Sequence, residues 1–232
     1  MEKKPGLLTA LDVITILILL VASGMVFFYA PMEAVMGLVQ KVFYFHVSSA
    51  WVGMLSFFVA AVAGGFYLAK GDRKWDILEL ASVEIGMVFS FIAVVSGSIW
   101  ARPIWNTWWT WDPRLITMTI MLLVYAAYLM LRAGIEAPDS RARISAVYAI
   151  VGFISVPLTF FSTRLLRTIH PVVIGTNQPG AEGAFDMTAD MRLVFFFSLF
   201  TFTLIFVDLL WHRVRLGRLQ DKVEQLKLKF NA

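Results

Sequence analysis

Trp100-Ala-Arg-Pro-Ile-Trp105-Asn-Thr-Trp108-Trp109-Thr-Trp111-Asp112-Pro-Arg114 holds five of the chain's eight tryptophans, between two long apolar runs. Pro103, Asn106 and Pro113 interrupt regular periodicity, so the stretch reads as a loop or a re-entrant, interfacial segment rather than a spanning helix. Indole has an apolar body and one N–H donor, which suits it to the boundary between hydrocarbon and water. One or two tryptophans at a helix end would anchor it there. Five in one connection make a surface, and the pattern points to a platform for something flat, apolar and large.

The runs on either side, 77–99 and 115–131, are long and apolar, with Glu79 and Glu84 the only charges inside the first. A helix needs about 20 apolar residues to cross a hydrocarbon core. Four further runs meet or approach that length: 10–30, 42–69, 144–163 and 193–211, the fifth carrying Pro157 as a kink. The first could be a signal peptide. It is too long for a typical h-region and lacks a small-x-small cleavage site before Pro31, so a retained helix is expected. The expectation is an all-α membrane protein with six transmembrane helices, one polytopic domain over 1–232 and a basic tail at 212–232. Composition agrees: 59% of residues are hydrophobic and 16% charged, outside the range of soluble domains. With no cysteine, the chain has no disulfides, thiolate metal sites or cysteine nucleophiles. Nothing in the sequence points to nucleic acid; the partner implied is the lipid bilayer.

Fourteen of the twenty Lys and Arg residues fall on one side of such a six-span arrangement, at both termini, 70–74 and 132–143. The other side has six: Lys41, Arg102, Arg114, Arg164, Arg167 and Arg192. The excess marks the cytoplasmic side, so both termini are expected inside and the tryptophan loop outside. His46, at the outer end of the second span, and His170, in the third outer connection, then share a face with the tryptophans. His212 falls in the tail and reads as a solvated or headgroup residue.

Two neutral imidazoles can hold an iron from opposite sides of a porphyrin plane. The macrocycle is apolar and stacks on indoles, and its propionates call for cations. Arg102 and Arg114 flank the aromatic stretch and Lys41 precedes His46 by little more than a helical turn. These three are the candidate propionate contacts. Arg164 and Arg192 read as ordinary snorkelling residues.

The run Gly97-Ser-Ile-Trp100-Ala-Arg-Pro-Ile-Trp105-Asn-Thr-Trp108-Trp109-Thr-Trp111-Asp112-Pro-Arg114-Leu115 resembles the tryptophan-rich WWD signature of the haem-handling membrane proteins of cytochrome c biogenesis. Within that group the chain is similar to the haem exporter protein C family (CcmC). Phe43-Tyr44-Phe45-His46-Val47 and Leu166-Arg167-Thr168-Ile169-His170 resemble the segments that carry the family's two outward-facing histidines. Asn106 stands where the family usually has Gly, Ile116 where it often has Thr, and the tail beyond Trp211 has no assignment in the pattern. The resemblance implies a haem-handling role rather than a redox enzyme, located in the bacterial inner membrane with a periplasmic working face. His46 and His170 would be axial ligands of the iron of haem b, carried as cargo. Trp100, Trp105, Trp108, Trp109, Trp111 and Asp112 would form the platform, with Asp112 orienting a neighbour or capping the loop. Implied partners are a periplasmic haem chaperone (CcmE), an ATP-binding subunit (CcmA), a membrane subunit (CcmB) and a small single-span subunit (CcmD).

Three other readings stay open. A cytochrome c haem lyase or synthase shares the signature, although such enzymes resemble longer chains with further histidines inside the membrane. Two histidines with Asp112 could form a non-haem metal site. A transport subunit that never touches haem would make use of Glu84, an intramembrane carboxylate; a structural partnership is the competing role for that residue. The tail from 214 to 230, basic and punctuated by leucine, reads as a surface-lying amphipathic helix or a docking arm.

Overall fold

The computed structural model describes residues 3–33, 36–173 and 187–230, and among these every regular element longer than one turn is helical. The elements are α1 (Gly6–Gly24, extended by a wider turn over Met25–Tyr29), α2 (Lys41–Lys70), α3 (Arg73–Trp105), α4 (Pro113–Gly134), α5 (Pro138–Gly152), α6 (Ser155–Leu165) and α7 (Ala189–Phe230). They make six helical segments long and apolar enough to cross a membrane, with α5 and α6 together forming the fifth. This is a multi-pass membrane fold.

An α2–α3 hairpin is the spine. Its turn is built by Gly71 at φ 66°, a left-handed conformation that glycine adopts without a Cβ penalty. Asp72 then caps α3, its side chain accepting from the Lys74 N–H at 3.0 Å. Lipid is as apolar as leucine, so helices in a membrane associate through close fit rather than by escaping water. Gly53 and Gly86 supply that fit. A Cβ on Gly53 would stand 2.4 Å from Ser90 Oγ, and one on Gly86 would stand 2.7 Å from the Phe57 ring. On one flank, Phe57, Val83, Met121, Tyr125 and Tyr128 pack α4 and α5 onto the hairpin, with the Phe57 and Tyr125 rings stacked at 3.6 Å. On the other flank, Val52, Ile85, Phe89 and Phe206 seat α7. α1 packs against α7 and leaves most of its apolar surface, Leu17, Leu20 and Phe28 among it, facing outward.

The fifth span is bent, as Pro157 leads one to expect. The proline has no N–H to donate to the Phe153 carbonyl, which instead accepts from Val156 at 2.9 Å, and the chain steps sideways between α5 and α6. Two sequence expectations are corrected. Pro103 does not end the third span: α3 runs on to Trp105 with the proline inside its last turn, where it has no N–H to donate to the Ile99 carbonyl. Trp100 and Trp105 therefore belong to a helix, and only 106–112 is loop. The helix of the last span does not stop at the tail. α7 continues unbroken for 42 residues through the last span to Phe230.

Candidate functional site

Four chain segments converge at one end of the bundle: the start of α2, the last turns of α3 with the loop beyond, the start of α4, and the segment following α6. Asn106 ends α3 at φ 53°, the one non-glycine left-handed residue among those described. Asparagine tolerates that conformation better than most, which explains why it can stand where a glycine would be usual. Asp112 opens α4 as its N-cap, accepting from the Arg114 N–H at 2.9 Å, with Pro113 at the first helical position.

The cavity between these segments is about 240 Å³. His46, Ala93, Gly97, Trp100, Trp105, Trp108, Trp109, Arg114, Met118, Ile169 and His170 are among the residues that line it. The histidine ring centroids lie 6.4 Å apart. Two imidazoles on one metal, each bonded at about 2 Å through a ring nitrogen, place their centroids on the order of 6 Å apart.

Both rings are held the same way. His46 Nδ1 lies 2.9 Å from the Ala93 carbonyl oxygen, and His170 Nδ1 lies 3.0 Å from that of Pro171. A carbonyl only accepts, so each Nδ1 carries the proton and each Nε2 keeps its lone pair for a ligand. Burial, then the Arg114 cation and the neighbouring His46, push the pKa of His170 down to about 3, so its imidazole is uncharged at neutral pH. The His46 ring lies against the backbone of α3. A Cβ on Gly97 would come within 2.8 Å of its Cε1, so the glycine is what admits the imidazole.

The aromatic residues divide. Trp100 is buried, 5.9 Å from the His46 ring centroid and edge-on to Phe43. Trp105 meets His170 edge-on at 6.4 Å. Trp108 and Trp109 complete the wall. Trp111 does not line the cavity; it is 81% exposed and touches Trp109 edge-on at 6.3 Å.

Asp112 also lies outside the wall, in the capping and orienting position considered for it. It is buried, and its carboxylate accepts from Thr168 Oγ1 at 2.7 Å and from the Ile169 N–H at 2.9 Å. Thr168 Oγ1 in turn accepts from the His170 N–H at 3.0 Å. The aspartate thus clasps the segment bearing the second histidine onto the start of α4.

Of the three predicted propionate contacts, Arg114 alone faces the cavity, and it also donates to the Thr159 carbonyl. Lys41 turns away to donate to the Phe27 carbonyl at the end of α1. Arg102 bonds the Asn106 side chain and lies 6.0 Å over the Trp108 ring. Nearness in sequence did not decide the direction of these side chains. His212 is also differently placed than expected, bonded to Asp12 of α1 at 2.8 Å with Asp208 nearby. Glu84 makes a two-point ion pair with Arg213 of α7, the structural partnership considered for it. Glu79, also buried on α3, accepts from the Tyr128 hydroxyl at 2.7 Å.

The family model of CcmC, Heme exporter protein C, matches residues 3–229. The Heme exporter protein C of Bradyrhizobium diazoefficiens is 30% identical over 86% of this chain and 74% of its own length. That of Rhodobacter capsulatus is 33% identical over 70% of this chain and 67% of its own. That of Escherichia coli K12 is 28% identical over 82% and 74%. The family has a haem-handling role in cytochrome c maturation. With a match that runs almost from end to end, the chain belongs to the Heme exporter protein C family.

Proposed function

We propose that this protein binds haem b at the periplasmic face of the bacterial inner membrane through His46 and His170, and passes it to the periplasmic chaperone CcmE. The observation that carries the proposal is the pairing of two half-buried imidazoles that line one cavity, 6.4 Å apart, each with Nδ1 spent on a carbonyl and Nε2 left over. A neutral imidazole held at Nδ1 by a carbonyl is oriented to offer Nε2 to a metal.

The orientation rests on the excess of Lys and Arg at the opposite end, where both termini lie in the cytoplasm. In this reading the iron stands between the two Nε2 atoms, and Trp100, Trp105, Trp108 and Trp109 meet the macrocycle. Arg114 is the cation available to a propionate. The cavity is smaller than the roughly 300–1,000 Å³ usual for enclosed small-molecule sites. A porphyrin therefore extends past it over the half-exposed Trp108, leaving an edge open to a receiving protein. CcmA, CcmB and CcmD complete the complex in which the transfer takes place, and no bond-making step falls to this chain.

Haem titration of the wild type beside His46→Ala and His170→Ala tests the proposal. A six-coordinate, low-spin absorption spectrum is expected for the wild type. Each variant should lose it, with affinity lower by roughly a hundredfold, equivalent to about 2.7 kcal/mol. A wild-type spectrum in either variant would sink the assignment. Metal analysis showing bound iron without extractable porphyrin would favour a two-histidine non-haem centre instead.

A further inference from the structure

The part of α7 beyond residue 212 presents two different faces. One is fastened to the body of the protein. Arg213 pairs with Glu84, Asp221 accepts from Arg73 at 3.2 Å, and Glu224 lies 3.8 Å from Arg141. Gly217 lets the two helices close up, since a Cβ there would stand 2.6 Å from Ile77 Cγ2.

The other face carries Leu216, Leu219, Val223, Leu226 and Phe230, all between 44 and 86% exposed. Their spacing is three, four, three and four residues, the a and d positions of a heptad repeat. A seam of this kind is narrower than the apolar stripe by which a helix covers a globular core, and it suits one partner helix.

Three occupants could cover it, and two fit poorly. A lipid surface requires the helix to lie in the membrane plane. α7 instead continues without a break from its spanning part, and 42 residues rise about 63 Å against a hydrocarbon core of about 30 Å. A second copy would bring like charges together. The g positions are Arg215, Lys222 and Lys229, and the e positions are Gln220 and Lys227. In a parallel pair Lys222 would face Lys227 of the other copy, and in an antiparallel pair basic residues would again face basic residues.

We propose that this seam docks an amphipathic helix of another protein, with apolar residues at its a and d positions and Asp or Glu at its flanks. The acidic flanks complement the basic e and g positions and set the choice of partner. The interface lies at the end of the bundle opposite the histidines, so it is independent of haem binding.

The test uses the full-length protein in zwitterionic nanodiscs and a labelled synthetic peptide of about three heptads, with Leu and Ile at a and d and Glu at e and g. Fluorescence anisotropy should show this peptide binding at least about tenfold tighter than its counterpart with Lys at e and g, with the preference shrinking as salt rises. Leu219→Asn with Leu226→Asn should abolish binding, and a triple Lys222→Glu, Lys227→Glu, Lys229→Glu variant should reverse the preference. These positions face away from the body, and an unchanged haem spectrum reports an intact fold. Equal binding of the two peptides, or no binding of either, overturns the proposal. So does self-association in detergent that the Leu219→Asn, Leu226→Asn variant relieves, which would make a second copy the occupant. Quenching of a probe at position 223 by brominated lipid would assign the seam to the bilayer and overturn it likewise.

Discussion

The two ends of the bundle use polar groups in opposite ways. At the end away from the histidines, charges are spent on one another. Arg132 grips Asp76 with two bonds of 2.6 and 2.9 Å in a buried site, and Arg213 and Glu84 do the same one helix away. At the histidine end, both rings are held from behind and their other nitrogens are left available. Groups that satisfy each other fasten helices. Groups positioned on one side only are prepared for something that arrives from elsewhere. The contrast separates structural polarity from functional polarity without reference to residue type, since both ends contain ionisable side chains.

Breaking the fastened end should cost the most stability and change the site least. Arg132→Ala removes the two-point partner of the buried Asp76 carboxylate and leaves it Arg73 alone, at 3.1 Å, so the loss falls at the lower end of the roughly 3–5 kcal/mol of a severed buried pair. A detergent thermal-denaturation assay should show it, while the haem spectrum of the surviving folded protein keeps its shape. A changed spectrum would mean that the ends are coupled.

Asp112→Ala tests the histidine end more gently. Freeing the Thr168–His170 segment should weaken haem binding by about 10–100-fold, as loss of a ligand's supporting partner commonly does. Added imidazole should restore the low-spin spectrum, because the vacated coordination position can be filled from solution. Thr168→Ser, which keeps the hydroxyl, should behave as wild type.

Gly97→Ala places a methyl group against the His46 ring, and a smaller loss is expected, on the order of severalfold in haem affinity. Titration against the wild type reads it directly. Smallest is Trp111→Ala. This side chain is outside the cavity, so haem affinity should change by less than about twofold. A large loss there would show that the macrocycle rests farther out than the cavity wall implies.

Much of this arrangement was legible in the chain. Six apolar runs, a tryptophan cluster and two histidines at the ends of such runs are properties of local sequence, and a membrane turns hydropathy into topology with few alternatives. What stayed hidden depended on contacts between distant segments or on helix ends. Pro103 looked like a breaker because sequence does not reveal that it occupies a last turn. The last span appeared to stop where charges begin near His212, yet the next turns of α7 have Glu84 and Arg73 to pair with, so the helix goes on. That same pairing gives Glu84 its structural partner, which local sequence does not name because Arg213 lies 129 residues away. That Asp112 orients a neighbour or caps a loop is readable from the sequence, but which neighbours is not: its carboxylate is directed at Thr168 and Ile169, which only the folded chain brings near.

The mountings of the two imidazoles differ. His46 rides within a 30-residue helix packed on both sides, while His170 belongs to a short irregular segment held by the Asp112 carboxylate and by the packing of Val172 and Val173. Such a grip has one jaw set in a helix and one set in a loop. Segments with few hydrogen bonds and few buried contacts open at the least cost, so in the proposed handover the loop-borne jaw is the one to yield first.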